Sequence, residues 1–316
     1  MNSLLQAWIG GDGFKPRDVE EPIDFYWHRP LAARLVRVLV PLPVTPNQVT
    51  VASGAMGVLS GGALMLGAWV APWWAALGAL LLLFSIVLDC ADGQLARVRG
   101  TSSAVGRALD GTMDVVAPLF VFHGLAFTLL ARGFSVFHIW PIGAVTGASL
   151  IWHASEYDVS KNIYLHASNP EFSLGGDTLL SIEYMKEARR EFEQKGERLN
   201  AFLMKSWAVW TKPQVKAMKP WLDDRRSPRN EDERKLFREL FRPQMRVLTW
   251  LGFGSHLFLL TVGAALAPLD PRSIWLSWLV ICLPMNVACM WVVATRNGRV
   301  RAFEKRLAEL RARTAS

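Results

Sequence analysis

Asp89, Asp92, Asp110 and Asp114 punctuate two strongly apolar runs of this 316-residue chain, which reads D-C-A-D-G-Q-L-A-R from Asp89 and G-R-A-L-D-G-T-M-D from Gly106. Ionised side chains inside a bilayer are costly and mark a functional site by default. On helices, Asp89, Asp92 and Ala96 fall at i, i+3 and i+7, while Gly106, Asp110 and Asp114 fall at i, i+4 and i+8, so each set shares one face. If the two helices pack antiparallel across the Val98 to Ser103 turn, the four carboxylates converge on one pocket. Carboxylates that close do not all stay ionised without compensating cations. Mg²⁺ or Mn²⁺, hard divalent ions with oxygen ligands, answer that need, and two of them neutralise the site.

The neighbouring letters suit phosphate. Gly93 lies one turn from Asp89 and presents bare backbone to an approaching group. Arg97 offers a planar fork for phosphate oxygens, and Gly106 leaves room one turn before Asp110. A metal-held phosphoryl group beside a carboxylate able to take a proton makes phosphoryl transfer the natural chemistry.

These residues need a membrane frame. The chain is 51% hydrophobic with 14 Trp and 16 Phe, more apolar than an ordinary soluble domain. Hydropathy picks out six spans of roughly 20 residues, the length that crosses ~30 Å of hydrocarbon. They run about Val49 to Val70, Trp73 to Ala96, Ala104 to Leu130, Ile139 to Ser160, Val247 to Leu266 and Ile274 to Ala294. The fold expected is therefore all-α, an integral membrane bundle of six transmembrane helices.

Arginines set the orientation, because cytoplasmic flanks carry the basic excess. Arg29, Arg34 and Arg37 precede the first span, Arg97, Arg99 and Arg107 separate the second and third, and Arg296, Arg299 and Arg301 follow the sixth. Both termini and the Asp cluster are expected in the cytoplasm. The net charge of +8 then reflects this bias and attraction to anionic headgroups, and calls for no nucleic-acid partner. Cys90, Cys282 and Cys289 lack the number and spacing of a disulfide framework or zinc site. No cleavable signal peptide is visible in the charged N-terminal stretch.

Five segments follow. Residues 1–45 form an N-terminal interfacial piece, in which Phe25, Trp27, Leu31, Leu35 and Val38 lie near helical spacing for a helix in the interface plane. Residues 46–160 hold spans one to four, 161–246 a cytoplasmic helical insertion, 247–295 spans five and six, and 296–316 a cytoplasmic tail. In the insertion, Glu183 to Arg198 reads as a solvated helix and Ala201 to Trp221 as an amphipathic one. Its Trp207, Trp210 and Trp221 suit an interface-bound flap or a dimer contact, and Arg225, Arg226 and Arg229 a solvated or headgroup-facing surface.

The aspartate stretch resembles the signature of the CDP-alcohol phosphotransferase family, D-x2-D-G-x2-A-R-x8-G-x3-D-x3-D. Asp89, Asp92, Gly93, Ala96, Arg97, Gly106, Asp110 and Asp114 meet its fixed letters. The resemblance extends to Pro46-Asn47-x-x-Thr50 at the entry of span one, and leaves the insertion uncovered. It implies a two-metal centre of Mg²⁺ or Mn²⁺ held by Asp89, Asp92 and Asp110, with Asp114 both a further ligand and the base. It also implies that Gly93, Ala96 and Gly106 line the cytidine site, while Arg97, Asn47 and Thr50 hold the nucleotide and phosphates. The implied reaction moves a phosphatidyl group from CDP-diacylglycerol to a small polar alcohol, releasing CMP, in a homodimer of the bacterial inner membrane. Lys161, Asn162, Arg107 and Arg296 are the acceptor candidates, and their charges lean toward a phosphorylated alcohol.

Rival readings are weaker. Transfer of a CDP-choline or CDP-ethanolamine headgroup to diacylglycerol goes with a His after the third Asp, where Gly111 stands. Prenyltransferases place their metal-binding motifs on distant helices, and cation transporters hold acidic groups near the midplane. Gly54, Gly57 and Gly61 read as helix packing. His123 reads as a core histidine bonded to a neighbouring span. The stripe His153, Tyr157, Asp158, Lys161 and Asn162 reads either as an acceptor or headgroup contact or as helix-end hydrogen bonding to the insertion.

Overall fold

The computed structural model describes residues 17–101, 103–169, 181–223 and 225–315. The N-terminal segment is therefore described from Arg17, and the 161–246 insertion without residues 170–180 and 224. Among the described residues every regular element is a helix and there is no strand.

Five stretches are long and apolar enough to cross a membrane: Pro46–Trp69, Trp73–Arg99, Ala104–Ala131, Glu231–Leu266 and Arg272–Arg313. The protein is an integral membrane protein. The expected fourth span lies in the 33-residue helix Val136–Ser168, which is not among the five. His138, Thr146, Ser149 and His153 dilute its apolar content.

The chain divides into two compact units. The first comprises Glu21–Ile151 and Phe253–Pro284. A π-helical turn, Asp24–His28, leads into α1 (Arg29–Leu39). Long helices α2 (Pro46–Trp69), α3 (Trp73–Arg99) and α4 (Ala104–Ala131) follow, then the first half of α5 (Val136–Ser168). After the insertion come α9 (Phe253–Leu266) and α10 (Arg272–Val280).

Helix α2 organises this unit. Thr45 and Gln48 form a reciprocal capping box, with Gln48 N donating to Thr45 Oγ1 at 3.3 Å and Thr45 N donating to Gln48 Oε1 at 2.8 Å. Pro46 occupies the first helical turn, where its missing N–H costs nothing. Both α3 and α4 pack along α2, whereas their backbones hardly approach each other. The expected direct α3–α4 hairpin is thus replaced by a wedge. Small residues explain it, because Cβ atoms at Gly57 and Gly61 would lie 2.3 Å from Ala117 Cβ and 2.4 Å from the Phe120 carbonyl oxygen. A Cβ at Gly54 would fall as close to Met113 Sδ. The packing role read for these glycines holds.

Hydroxyls pin the wedge. Ser53 Oγ donates to the Ser85 carbonyl at 2.9 Å and Ser85 Oγ returns the bond to Ser53 at 2.8 Å. Ser60 Oγ reaches the Gly78 carbonyl at 2.7 Å, and Thr128 Oγ1 the Leu64 carbonyl at 3.0 Å. Such bonds and close backbone contact replace the hydrophobic effect as the glue between helices in lipid.

Helix α1 forms largely where expected, but its buried edge is Ala32 and Val36, packed on Val87, Ala91 and Leu95 of α3, while Trp27 and Val38 are exposed. At the N-terminus of α9, Glu21 Oε2 accepts from Ser255 N at 2.9 Å and Ser255 Oγ at 3.1 Å, a carboxylate where the helix dipole favours one.

The second unit comprises residues 17–20, the described residues of Trp152–Gly252, and residues 285–315. It holds the end of α5, α6 (Ser181–Gln194), α7 (Arg198–Met218), α8 (Glu231–Leu248) and α11 (Asn286–Ala315). Helices α6 and α7 form a hairpin around Gly196, whose φ of +76° only glycine adopts freely. Helix α8 packs on α11. Trp221 is buried with Phe237, Phe241 and Phe303, its ring centroid 5.6, 5.5 and 6.4 Å from theirs. Trp221 is thus a core residue and no part of a surface flap. Arg226 is also drawn in, pairing with Glu304 at 2.6 Å. Glu233, buried at the start of α8, pairs with Arg311 at 2.9 Å.

Candidate functional site

The site lies where α2 begins, α3 ends and α4 begins. Helix α3 stops at Gly100, left-handed at φ +64°, whose turn lets Thr101 N bond the Ala96 carbonyl at 3.0 Å. Ser103 then caps α4 through Gly106 N at 3.0 Å. These two helix ends fix the registers that carry the aspartates.

Asp89 and Asp92 on α3 and Asp110 on α4 each place one carboxylate oxygen within 4.8 Å of the others. Asp92 is buried and the other two half-buried. An all-oxygen donor set suits a hard divalent cation. Oxygens bound to one Mg²⁺ stand up to ~4.2 Å apart at its ~2.1 Å bond length, so a 4.8 Å bound is of the order that a hard divalent ion would span.

Asp114 lies one turn further along α4 and outside that group of three. With Asp89 it lines a cavity of about 20 Å³, room for a single water. Ser53, Ser85, Met113, Pro118, Phe253 and Leu257 are among its other walls. A carboxylate beside a small, mostly apolar cavity is placed to meet a hydroxyl.

Thr50, buried on α2, donates to Asp92 Oδ2 at 2.5 Å and also contacts the Pro46 carbonyl at 3.2 Å. It is an outer partner that aims a carboxylate. The room above Gly106 is taken rather than open, since a Cβ there would lie 2.7 Å from Asn47 Oδ1 and 3.0 Å from Ser103 Oγ. Gly106 seats Asn47. At Gly93 a Cβ would meet the Arg97 guanidinium at an ordinary 3.5 Å. Arg97 itself is exposed and Ala96 half-buried.

Of the acceptor candidates, Arg107 alone belongs to the unit that holds the aspartates. In the second unit, Lys161 is tied to Asp158 at 2.5 Å and lies over the Tyr157 ring. Arg296 pairs with Glu156. Asn162 sits beside Lys161 on α5. At two positions of the stripe on α5 the partners lie outside the insertion: Tyr157 donates to the Val19 carbonyl at 2.7 Å, and His153 meets Asn286 at 3.0 Å. His123 is exposed and bonds the Leu119 carbonyl of its own helix at 2.7 Å, so it is not a core residue, and it meets the next helix through the Trp140 ring at 5.6 Å.

Arg99 was passed over as a basic anchor. Its guanidinium donates to the carbonyls of Leu39, Val40 and Leu42 at 3.0, 3.1 and 2.7 Å and to that of Val44. One side chain thereby ties the end of α3 to the loop that delivers Thr45, Asn47 and Thr50. Its place two residues beyond Arg97 was the available signal.

Residues 43–168 match the CDP-alcohol phosphatidyltransferase family. The chain carries a CDP-alcohol phosphatidyltransferase domain. That domain takes in α2, α3, α4 and α5 and every aspartate described above. Curated relatives agree. A bifunctional IPC transferase and DIPP synthase of Rubrobacter xylanophilus is 40% identical over 93 residues, 28% of this chain and 19% of the relative. A protein of the same name from Aquifex aeolicus is 30% identical over 146 residues, 46% of this chain and 30% of its own. A phosphatidylinositol phosphate synthase of Mycolicibacterium smegmatis is 36% identical over 97 residues, 31% of this chain and 40% of its own. The matches thus span from about a fifth to two fifths of these relatives. No solved structure matches the chain significantly.

Proposed function

We propose that this protein transfers a phosphatidyl group from CDP-diacylglycerol to a small polar alcohol and releases CMP. The convergence of Asp89, Asp92 and Asp110 from two helices carries the reading. In this account Asp89, Asp92, Asp110 and, at the edge of the group, Asp114 hold two divalent cations, Mg²⁺ or Mn²⁺. Bound there, the cations offset the carboxylate charge and that of the phosphates.

The protein's own groups do the rest. Asn47, Thr50, Gly93, Ala96, Arg97 and Gly106 hold the nucleotide end of the donor, Thr50 through its aim on Asp92 and Gly106 through its seat for Asn47. Asp114 takes the proton of the acceptor hydroxyl. The freed oxygen attacks the phosphorus bonded to the lipid. The bond from that phosphorus to the bridging oxygen breaks, and CMP leaves with the electron pair.

Similarity to a phosphatidylinositol phosphate synthase favours a phosphorylated polyol, with inositol phosphate first; glycerol phosphate is our second choice. Arg107 supports that choice from within the aspartate unit. Lys161, Asn162 and Arg296 are the weaker acceptor assignments, because Lys161 and Arg296 already have carboxylate partners. We take α5 as the sixth span, since 33 residues reach ~50 Å at 1.5 Å each and its Thr146 hydroxyl is bonded internally to Ile142. In this reading the basic flanks favour the cytoplasmic side for the site, the membrane is a bacterial inner membrane, and the family resemblance favours a homodimer.

The test supplies purified protein with CDP-diacylglycerol, Mn²⁺ and one alcohol at a time, and identifies the lipid product by mass spectrometry. A new phospholipid formed only with a phosphorylated polyol supports the proposal. Product formed only from CDP-choline or CDP-ethanolamine plus diacylglycerol overturns it.

A further inference from the structure

Helix α7, in the second unit, has two apolar faces where a solvated hairpin needs one. Ala201, Met204, Thr211 and Met218 are buried. On another side, Leu199, Phe202, Val209 and Trp210 are exposed by 68, 57, 69 and 43%. At ~100° per residue these four fall within an arc of about 100°. Leaving that much aliphatic and aromatic surface in water is costly.

The charges on this helix share one sign. From Arg198 to Lys219 there is no acidic residue. Arg198, Lys205, Lys212 and Lys216 are exposed and form a strip along one margin of the apolar arc. The partner helix α6 is different, with Glu and Arg or Lys paired along its surface, as in Arg189 with Glu193 at 2.7 Å. A solvated hairpin would have no reason to confine both the basic strip and the bare apolar arc to α7.

We infer that α7 seats its Leu199–Trp210 face on an anionic bilayer surface. The apolar arc enters the headgroup boundary while the lysines meet lipid phosphates, their stems lying along the apolar edge. The occupant is argued from charge: an unopposed basic strip attracts anionic lipid, each Lys or Arg adding an increment near the surface, and repels a second copy of itself. The chain is already held in a bilayer, so the helix needs no anchoring affinity of its own. The inference is independent of the reaction proposed above.

The full-length protein tests it, with Cys90, Cys282 and Cys289 changed to Ala and a fluorophore attached at Val209→Cys, or at Glu187→Cys on α6 as control. The chain is reconstituted in phosphatidylcholine bilayers with and without phosphatidylglycerol. Quenching by lipid-borne nitroxide is compared with quenching by aqueous iodide. The label at 209 is expected to favour the lipid quencher in the anionic bilayer, and that at 187 the aqueous one. Changing Lys205, Lys212 and Lys216 to Glu should reduce the preference at 209 by at least about fivefold. Equal aqueous quenching at both positions overturns the inference. So does shielding at 209 that persists in detergent and depends on protein concentration, the mark of a second copy.

Discussion

Thr50 on α2 donates a 2.5 Å hydrogen bond to Asp92 on α3. Both are buried, so the bond fixes one oxygen of the carboxylate and with it the plane of the group. A helix outside the aspartate group thereby sets the aim of one of its members.

Replacing Thr50 with Val keeps the volume and removes the donor. Outer-shell partners of this kind typically change metal affinity by about 10–100-fold. Thr50→Val should weaken Mn²⁺ binding by that order, while Thr50→Ser retains most of it, as read by titration calorimetry. Equal affinities in all three proteins would show that the bond does not position Asp92.

Close approach of α2 to α4 depends on bare Cα atoms. Gly61→Ala places a methyl 2.4 Å from the Phe120 carbonyl oxygen, and backbone there must move. Overpacking of this sort costs about 1–3 kcal/mol, and the shift carries Asp110 and Asp114 with it. Activity and thermal midpoint should both fall. Gly62→Ala meets nothing within 4 Å and should leave both unchanged, or raise stability slightly through helix propensity.

Arg99 bonds four carbonyls between Leu39 and Val44 at once, a geometry that a lysine cannot span. Arg99→Ala should lower stability by about 1.5–3 kcal/mol, the worth of a hydrogen bond to a charged group, and raise KM for the CDP donor more than it lowers kcat. Arg99→Lys should recover little of either. An unchanged KM would limit Arg99 to anchoring.

In the second unit, Trp221 fills the space between Phe237, Phe241 and Phe303. Trp221→Ala should cost about 3–5 kcal/mol. Trp210→Ala, on the exposed side of α7, should cost little in detergent. Differential scanning fluorimetry separates the two.

Much of the site was legible before the fold. The gaps between Asp89 and Asp92 and between Asp110 and Asp114 fit a helical face whatever surrounds them, because side-chain direction follows from 3.6 residues per turn. The α2 wedge was not legible in the same way. Gly54, Gly57 and Gly61 announced a close contact, but spacing names no partner, and the partner proved to be α4. Arg99 was missed for a related reason: a cation at a helix end is ordinarily a headgroup anchor, and the carbonyls it binds come from a loop with no motif. Trp221 shows the opposite error. An amphipathic stretch of Trp and Lys reads as interfacial, and only the Phe237, Phe241 and Phe303 cluster tells which tryptophan turns inward.

The central claim separates holding metal from moving a proton. Mn²⁺ binding and CMP release should therefore be measured on the same preparations of the natural protein, Asp92→Asn and Asp114→Asn, with CDP-diacylglycerol and the preferred alcohol. Asp92→Asn should lose both. Asp114→Asn should keep most Mn²⁺ binding while CMP release falls by about 10²–10⁴-fold, the usual worth of a general base. CMP release by Asp114→Asn at the natural rate, or turnover by any of the three with Mn²⁺ and Mg²⁺ fully chelated, would contradict the account.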